Sequence, residues 1–113
     1  VGAMFDRDSD RRPKAMFQLF LYSNLYAMVK GYDGPIQPYI YKFTDMFKKG
    51  LPELKIDRQG LKDYRDYNDE FLERFKALIT EIFDENVPFV RTNNTHSCKY
   101  CKFKTICGVP EED

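Results

Sequence analysis

The sequence predicts an α+β domain with two main helices, a short antiparallel strand pair and a C-terminal cysteine knuckle. Three observations carry that expectation. A long apolar run sits between a proline and a glycine. A second apolar stretch repeats with helical period. All three cysteines of the chain fall between Cys98 and Cys107.

The first helix is expected to begin just after Asp10 and to run to about Lys30. Asp10 is placed to cap it, and Pro13 fits the first turn, where a missing N–H costs little. Gly31 follows as a residue able to take the left-handed conformation that ends helices. Apolar side chains from Ala15 to Val29 fall on almost every face, which predicts burial on most sides. Tyr32 to Pro35 reads as a turn. Gln37 to Phe43 alternates, with Tyr39, Tyr41 and Phe43 on one side, and is expected to be a strand with Pro38 at its start or edge. Lys48 to Pro52 reads as a loop, Leu54 to Ile56 as a second short strand, and Arg58-Gln59-Gly60 as its exit turn. The second helix is expected from about Asp66 to Glu85. Phe71, Phe75, Leu78 and Ile82, with Leu72, Ile79 and Phe83, form its apolar stripe. Val87 to Val90 is expected to be extended, and the last five residues frayed. Met4 to Lys14 reads as a solvated, charged loop.

A chain of 113 residues predicts a single domain, residues 1–113, with material for a modest core: 42% hydrophobic and 16% aromatic residues. Val1 is not an initiator methionine, and the chain is expected to be the C-terminal piece of a larger protein. There is no run of about 18 apolar residues and no basic-then-apolar leader, which predicts no membrane span and a cytoplasmic protein. The 18 basic and 18 acidic residues balance. Bulk charge therefore decides nothing about nucleic acid, and local patches must. Arg11, Arg12 and Lys14 form one such patch. Lys99, Lys102 and Lys104, interleaved with Tyr100 and Phe103, form another. Basic residues beside aromatics can track a DNA strand, although each group also fits a plain solvated face.

Cys98, Cys101 and Cys107 stand in a C-x2-C-x5-C pattern. The first pair can form a knuckle around one metal or cluster, and the third follows on a helical turn. Three soft ligands suit zinc or iron–sulfur chemistry. An odd, clustered set does not suit a disulfide scaffold. His96 is a possible fourth ligand for zinc, at an awkward spacing. Gln18 and Tyr22 are four apart and share one helix face. A glutamine among apolar neighbours must find a hydrogen-bond partner or cost roughly 1–3 kcal/mol. It can bond a neighbouring carbonyl in a plain core helix, or point into a site.

Taken together, the Q-x3-Y helix, the following strands, the Phe71–Phe83 helix and the closing C-x2-C-x5-C resemble the C-terminal part of RecB-like and AddB-like PD-(D/E)XK nucleases, including iron–sulfur CRISPR-associated relatives. The resemblance covers about residues 6 to 108. It implies that these elements flank a mixed nuclease sheet, and that Gln18 and Tyr22 line the active site. It implies that Cys98, Cys101 and Cys107 are three ligands of a four-iron four-sulfur cluster, with the fourth far upstream. It further implies Mg²⁺-dependent DNA exonuclease activity in recombination or repair, with a helicase subunit or fused helicase domain as partner. The family's acidic residues and lysine precede the Q-x3-Y helix, and Met4 to Lys14 contains no D/E-x-K set on a strand. Asp6, Asp8 and Asp10 read as a solvated loop. The chain alone is therefore expected to be inactive, and to hold no cluster or only adventitious zinc. A zinc-stabilised module binding nucleic acid or protein is the alternative; a small redox protein using Cys98 and Cys101 is a weaker one.

Overall fold

In the computed structural model, the described residues are 1–7, 9, 12–45, 47, 50 and 54–110. Their regular elements are helix α1 (Lys14–Lys30), a two-residue hairpin of β1 (Lys55–Ile56) and β2 (Gln59–Gly60), and helix α2 (Arg65–Ile82), with short 3-10 turns at Gly2–Phe5, Phe43–Asp45 and Thr95–Cys98. The α+β class with two helices and an antiparallel pair is as the sequence predicts, with one change in which segments make the pair.

Helix α1 starts and stops at chain signals. It begins at Lys14, later than expected: Pro13 occupies its N-cap with no side-chain cap bond and does not sit in its first turn, and Gly31 closes it at φ 60°. The N–H groups of Gly31 and Tyr32 both donate to the Ala27 carbonyl, which ends the helix in one step. Asp10, expected to cap, lies outside the described residues. At the other helix, Asp63 takes the capping role one position early: its Oδ1 accepts from the Arg65 N–H and from the Ile36 N–H, both at 3.1 Å. Arg65 then donates to the carbonyls of Tyr32 and Gly34 at 2.8 and 2.9 Å. The exit of α1 and the start of α2 are thereby tied to one side chain.

The core is an aromatic stack between the helices. Phe20, Leu61, Tyr64 and Phe71 are fully buried, joined by Met4 and Ile56. Phe71 meets the rings of Phe5, Phe17, Phe20 and Phe75 at centroid distances of 5.1 to 5.9 Å. Such pairs add about 0.5–1.5 kcal/mol each beyond the area they bury. Asn24 and Asn68 exchange two amide hydrogen bonds across the interface, at 2.8 and 2.9 Å. Ser23, the buried polar residue of α1, donates to the Leu19 carbonyl at 2.7 Å. Among the described residues, no buried side-chain nitrogen or oxygen lacks a partner.

Four expectations are corrected. Gln37–Phe43 is not a strand. Pro38 removes a ladder donor, and the chain here is pinned by isolated bonds instead: Gln37 Nε2 to the Leu61 carbonyl, and the Tyr64 N–H to the Ile36 carbonyl. The strand pair is local. Lys55 faces Gly60 and Ile56 faces Gln59. Asp57 and Arg58 turn the chain with φ of 51° and 67°, positive at both central residues as in a type I′ hairpin. Gln59-Gly60 is thus a strand and not an exit turn. Met4 to Lys14 is not solvated throughout: Met4 is in the core and the Phe5 ring packs on Phe17 and Phe71. Finally, α1 is buried along one strip only, with Leu25, Tyr26, Met28 and Val29 exposed. On α2 likewise, Phe71, Phe75 and Leu78 face inward, while Leu72, Ile79, Ile82 and Phe83 are exposed. Most of the expected loop at Lys48–Pro52 lies outside the described residues.

Candidate nucleic-acid cleft

One face of α1 helps form an open cleft of about 1210 Å³. Its walls come from three places. Helix α1 contributes Lys14, Gln18 and Tyr22, the residues before it contribute Arg12, and the end of α2 with the segment after it contributes Phe83 and Phe89. The i,i+4 spacing does what the sequence predicts: Gln18 and Tyr22 line the same space. Gln18 is exposed. Its amide needs no core partner, and the plain-core reading of this residue loses its premise.

One wall is closed by a contact between distant segments. Arg7 Nη2 donates to both carboxylate oxygens of Glu81 at 2.8 and 2.7 Å. Both side chains are substantially exposed, so the pair contributes about 1 kcal/mol at most. Its effect is placement: it pulls the N-terminal segment against the last turn of α2. The chain then turns at Asp84, whose carbonyl accepts from the Val87 N–H and whose Oδ1 accepts from the Asn86 N–H. This Asx turn brings Val87 to Val90 back along the cleft. That segment has no regular structure and is exposed, as the expected extended stretch requires.

The remaining candidates lie elsewhere. Arg11 is outside the described residues. Lys99 and Lys104 line a separate hollow of about 250 Å³ with His96, Cys98 and Tyr100. Lys99 Nζ stands 5.6 Å from the Tyr100 ring centroid. Lys102 is exposed and lines neither space.

The three cysteines are reduced and unalike: Cys98 is buried, Cys101 and Cys107 are exposed. A helical-turn path does run from Cys101 to Gly108, through bonds such as Cys107 N–H to the Phe103 carbonyl. Arg91 Nη1 holds the carbonyls of Cys107 and Gly108 at 3.0 and 3.1 Å. Val109 is bonded to the Lys104 carbonyl and half-buried, so it is not frayed; residues 111–113 lie outside the described residues. Among the described residues, no three His, Cys, Asp or Glu side chains are grouped so as to hold a metal ion. As placed here, the thiols do not fit a cluster or a closed zinc site, which need convergent ligands. Among the described residues no carboxylate set is gathered either, and Asp8 and Asp10 lie outside them. The side chains that line the cleft offer hydrogen bonding, charge and ring surface.

Sequence reasoning missed Arg7, Glu81, Phe83, Asp84 and Phe89 as cleft residues. An available signal was the D-x-x-V-P-F run after a helix end, in which two large aromatics flank a turn without a strand or helix to bury them. No helix among the described residues is long and apolar enough to cross a membrane.

No curated protein and no solved structure matches the chain. A family model does, that of the PD-(D/E)XK nuclease superfamily, over residues 4–108. This span takes in both helices, the cleft and the cysteines, and the chain belongs to the PD-(D/E)XK nuclease superfamily.

Proposed function

We propose that this chain is the substrate-facing C-terminal part of a metal-dependent DNA exonuclease of recombination or repair. The observation that carries the proposal is the shared cleft: Gln18, Tyr22, Arg12 and Lys14 all open onto one space within a nuclease-superfamily match. The Gln18 amide and the Tyr22 hydroxyl donate to phosphate or deoxyribose oxygens, and Arg12 and Lys14 supply positive charge to the backbone. Metal-activated water would be the chemistry of the complete enzyme. Since the described residues gather no metal-binding set, this chain's share is to bind and orient the strand. A D/E-x-K set supplied from outside this sequence completes the site, and a helicase subunit or domain feeds it. In the same reading, Cys98, Cys101 and Cys107 become iron–sulfur ligands when a fourth ligand from outside this sequence closes the site. His96 and Cys98 share the small hollow, the observation that supports a zinc-stabilised binding module as second reading.

The test uses the full-length protein. Gln18→Ala is expected to lower the DNA cleavage rate on the order of 10²-fold, the cost of a misplaced substrate, with the melting temperature unchanged. Tyr22→Phe keeps the ring and is expected to give a milder loss. Normal cleavage together with a large fall in melting temperature would return Gln18 to a structural role.

A further inference from the structure

Phe83 and Phe89 present an anomaly that the nuclease reading does not absorb. Phe83 is 82% exposed and Phe89 105% exposed, yet both line the cleft that holds Gln18 and Tyr22. Neither ring is packed against the core cluster, and both leave their faces open on one wall. They are also placed by structure. The Phe83 N–H is bonded to the Ile79 carbonyl as the last bond of α2, and the Asp84 turn together with Pro88 restricts the backbone that carries Phe89. Tyr22, also exposed, adds a third ring.

Charge narrows the occupant. Among the described residues of the cleft, Arg7, Arg12 and Lys14 stand against Glu81, Asp84 and Glu85. The wall has no net pull on a polyanion, and Arg7 is already engaged by Glu81. A nucleic-acid ligand would gain its affinity here from ring surface more than from phosphate. A duplex keeps its base faces covered by its own stacking; only an unpaired strand offers them. We infer that Phe83 and Phe89 form a base-stacking platform that selects single-stranded DNA, with Arg12 and Lys14 contacting its phosphates. The inference rests on the nuclease reading of the cleft and names the residues that set its strand preference.

The experiment measures fluorescence anisotropy of a labelled oligothymidylate of about 12 nucleotides with the 113-residue chain and its variants. Phe83→Ala and Phe89→Ala should each weaken binding about tenfold. Both rings are exposed, so circular dichroism should show an unchanged fold. Phe89→Leu is the discriminating variant: it keeps an apolar side chain and removes the ring, and should weaken binding nearly as much as alanine. The slope of log affinity against log salt should be no steeper than about −1.4, the value for two phosphate contacts on a single strand. A duplex of the same length should compete poorly. Full binding by Phe89→Leu would show simple apolar contact and overturn the platform, as would equal competition by duplex. Wild-type binding that ignores all three substitutions while Gln18→Ala still lowers cleavage in the full-length protein would sink the platform and leave the nuclease reading standing. No binding by the wild-type chain would overturn the platform; loss of the Gln18 effect as well would take the nuclease reading with it.

Discussion

The helix interface and the cysteine segment are both built from side chains that prefer burial, and they hold together differently. Phe71 is fully buried and meets four other rings. Cys101 and Cys107 are exposed, and their segment is held by turn bonds and by Arg91 on two carbonyls. The first region has its partners inside the chain. The second has a regular path but no convergent point. Apolar contact is non-directional and is satisfied by whatever large surface is near. A ligand site needs several atoms to meet at one point, and without the ligand nothing draws them there.

The largest effect should therefore come from the interface. Phe71→Ala removes the ring at the centre of the stack and is expected to destabilise the chain by about 3–5 kcal/mol. For a domain of this size, that is a large part of the total stability. Denaturant unfolding followed by circular dichroism checks it. A loss under about 1 kcal/mol would mean that the stack relaxes around the gap, and that the contrast between the two regions is weaker than the burial suggests.

The Asn24–Asn68 pair should come next, and it sharpens the comparison because it is polar and yet belongs to the packed region. Asn24→Leu alone leaves the Asn68 amide half-buried with its partner gone, at about 1–3 kcal/mol. Adding Asn68→Leu should recover part of that loss, since removing both partners is cheaper than removing one. A double variant as unstable as the sum of the singles would show that the two amides do not act as a unit. The pair also fixes the rotation of α1 against α2, and so the direction in which Gln18 and Tyr22 face.

These differences explain what could be read in the sequence. Both helices were legible because their signals are local: the Gly31 boundary, and the Phe71–Phe75–Leu78 row; the start of α1 was placed too early, since Asp10 looked like a cap and Pro13 fits a first turn as well as it fits the N-cap it occupies. The breadth of their buried faces was not. Leu25, Met28 and Ile82 are apolar and exposed, and periodicity gives the direction of a face without saying whether anything covers it. The hairpin was half-legible, since Asp57-Arg58 lacks the Asn-Gly or Asp-Gly that usually announces two positive φ values. The false strand at Gln37–Phe43 shows the limit of alternation: its pattern is right, but among the described residues no neighbouring strand is paired with it. At the candidate site, the shared face of Gln18 and Tyr22 followed from spacing alone. The opposite wall, Phe83 and Phe89, depends on a turn at Asp84 and on the Arg7–Glu81 contact across the fold, neither of which leaves a periodic trace.

The smallest effect on stability should come from Cys107→Ser, and it is the sharpest test of the contrast. The thiol is exposed, and Arg91 grips the backbone carbonyl of that residue, which the substitution leaves in place. In the 113-residue chain the unfolding free energy should shift by no more than about 0.5 kcal/mol, the usual range for a surface change. The same change in the full-length protein should behave differently if the cysteines there gather around iron. A ligand that binds only the folded state adds its binding free energy to stability, so losing it should lower the melting temperature and bleach the visible absorption together. Anaerobic preparation of both proteins, followed by iron, zinc and sulfide analysis, separates the outcomes. Iron and sulfide in the full-length protein, lost with Cys107→Ser, would show a segment completed by a ligand. One zinc per chain and no sulfide would move the cysteines to a zinc-stabilised module. A marked loss of stability in the metal-free chain would break the contrast itself, since it would mean that Cys107 contributes packing that its exposure does not reveal.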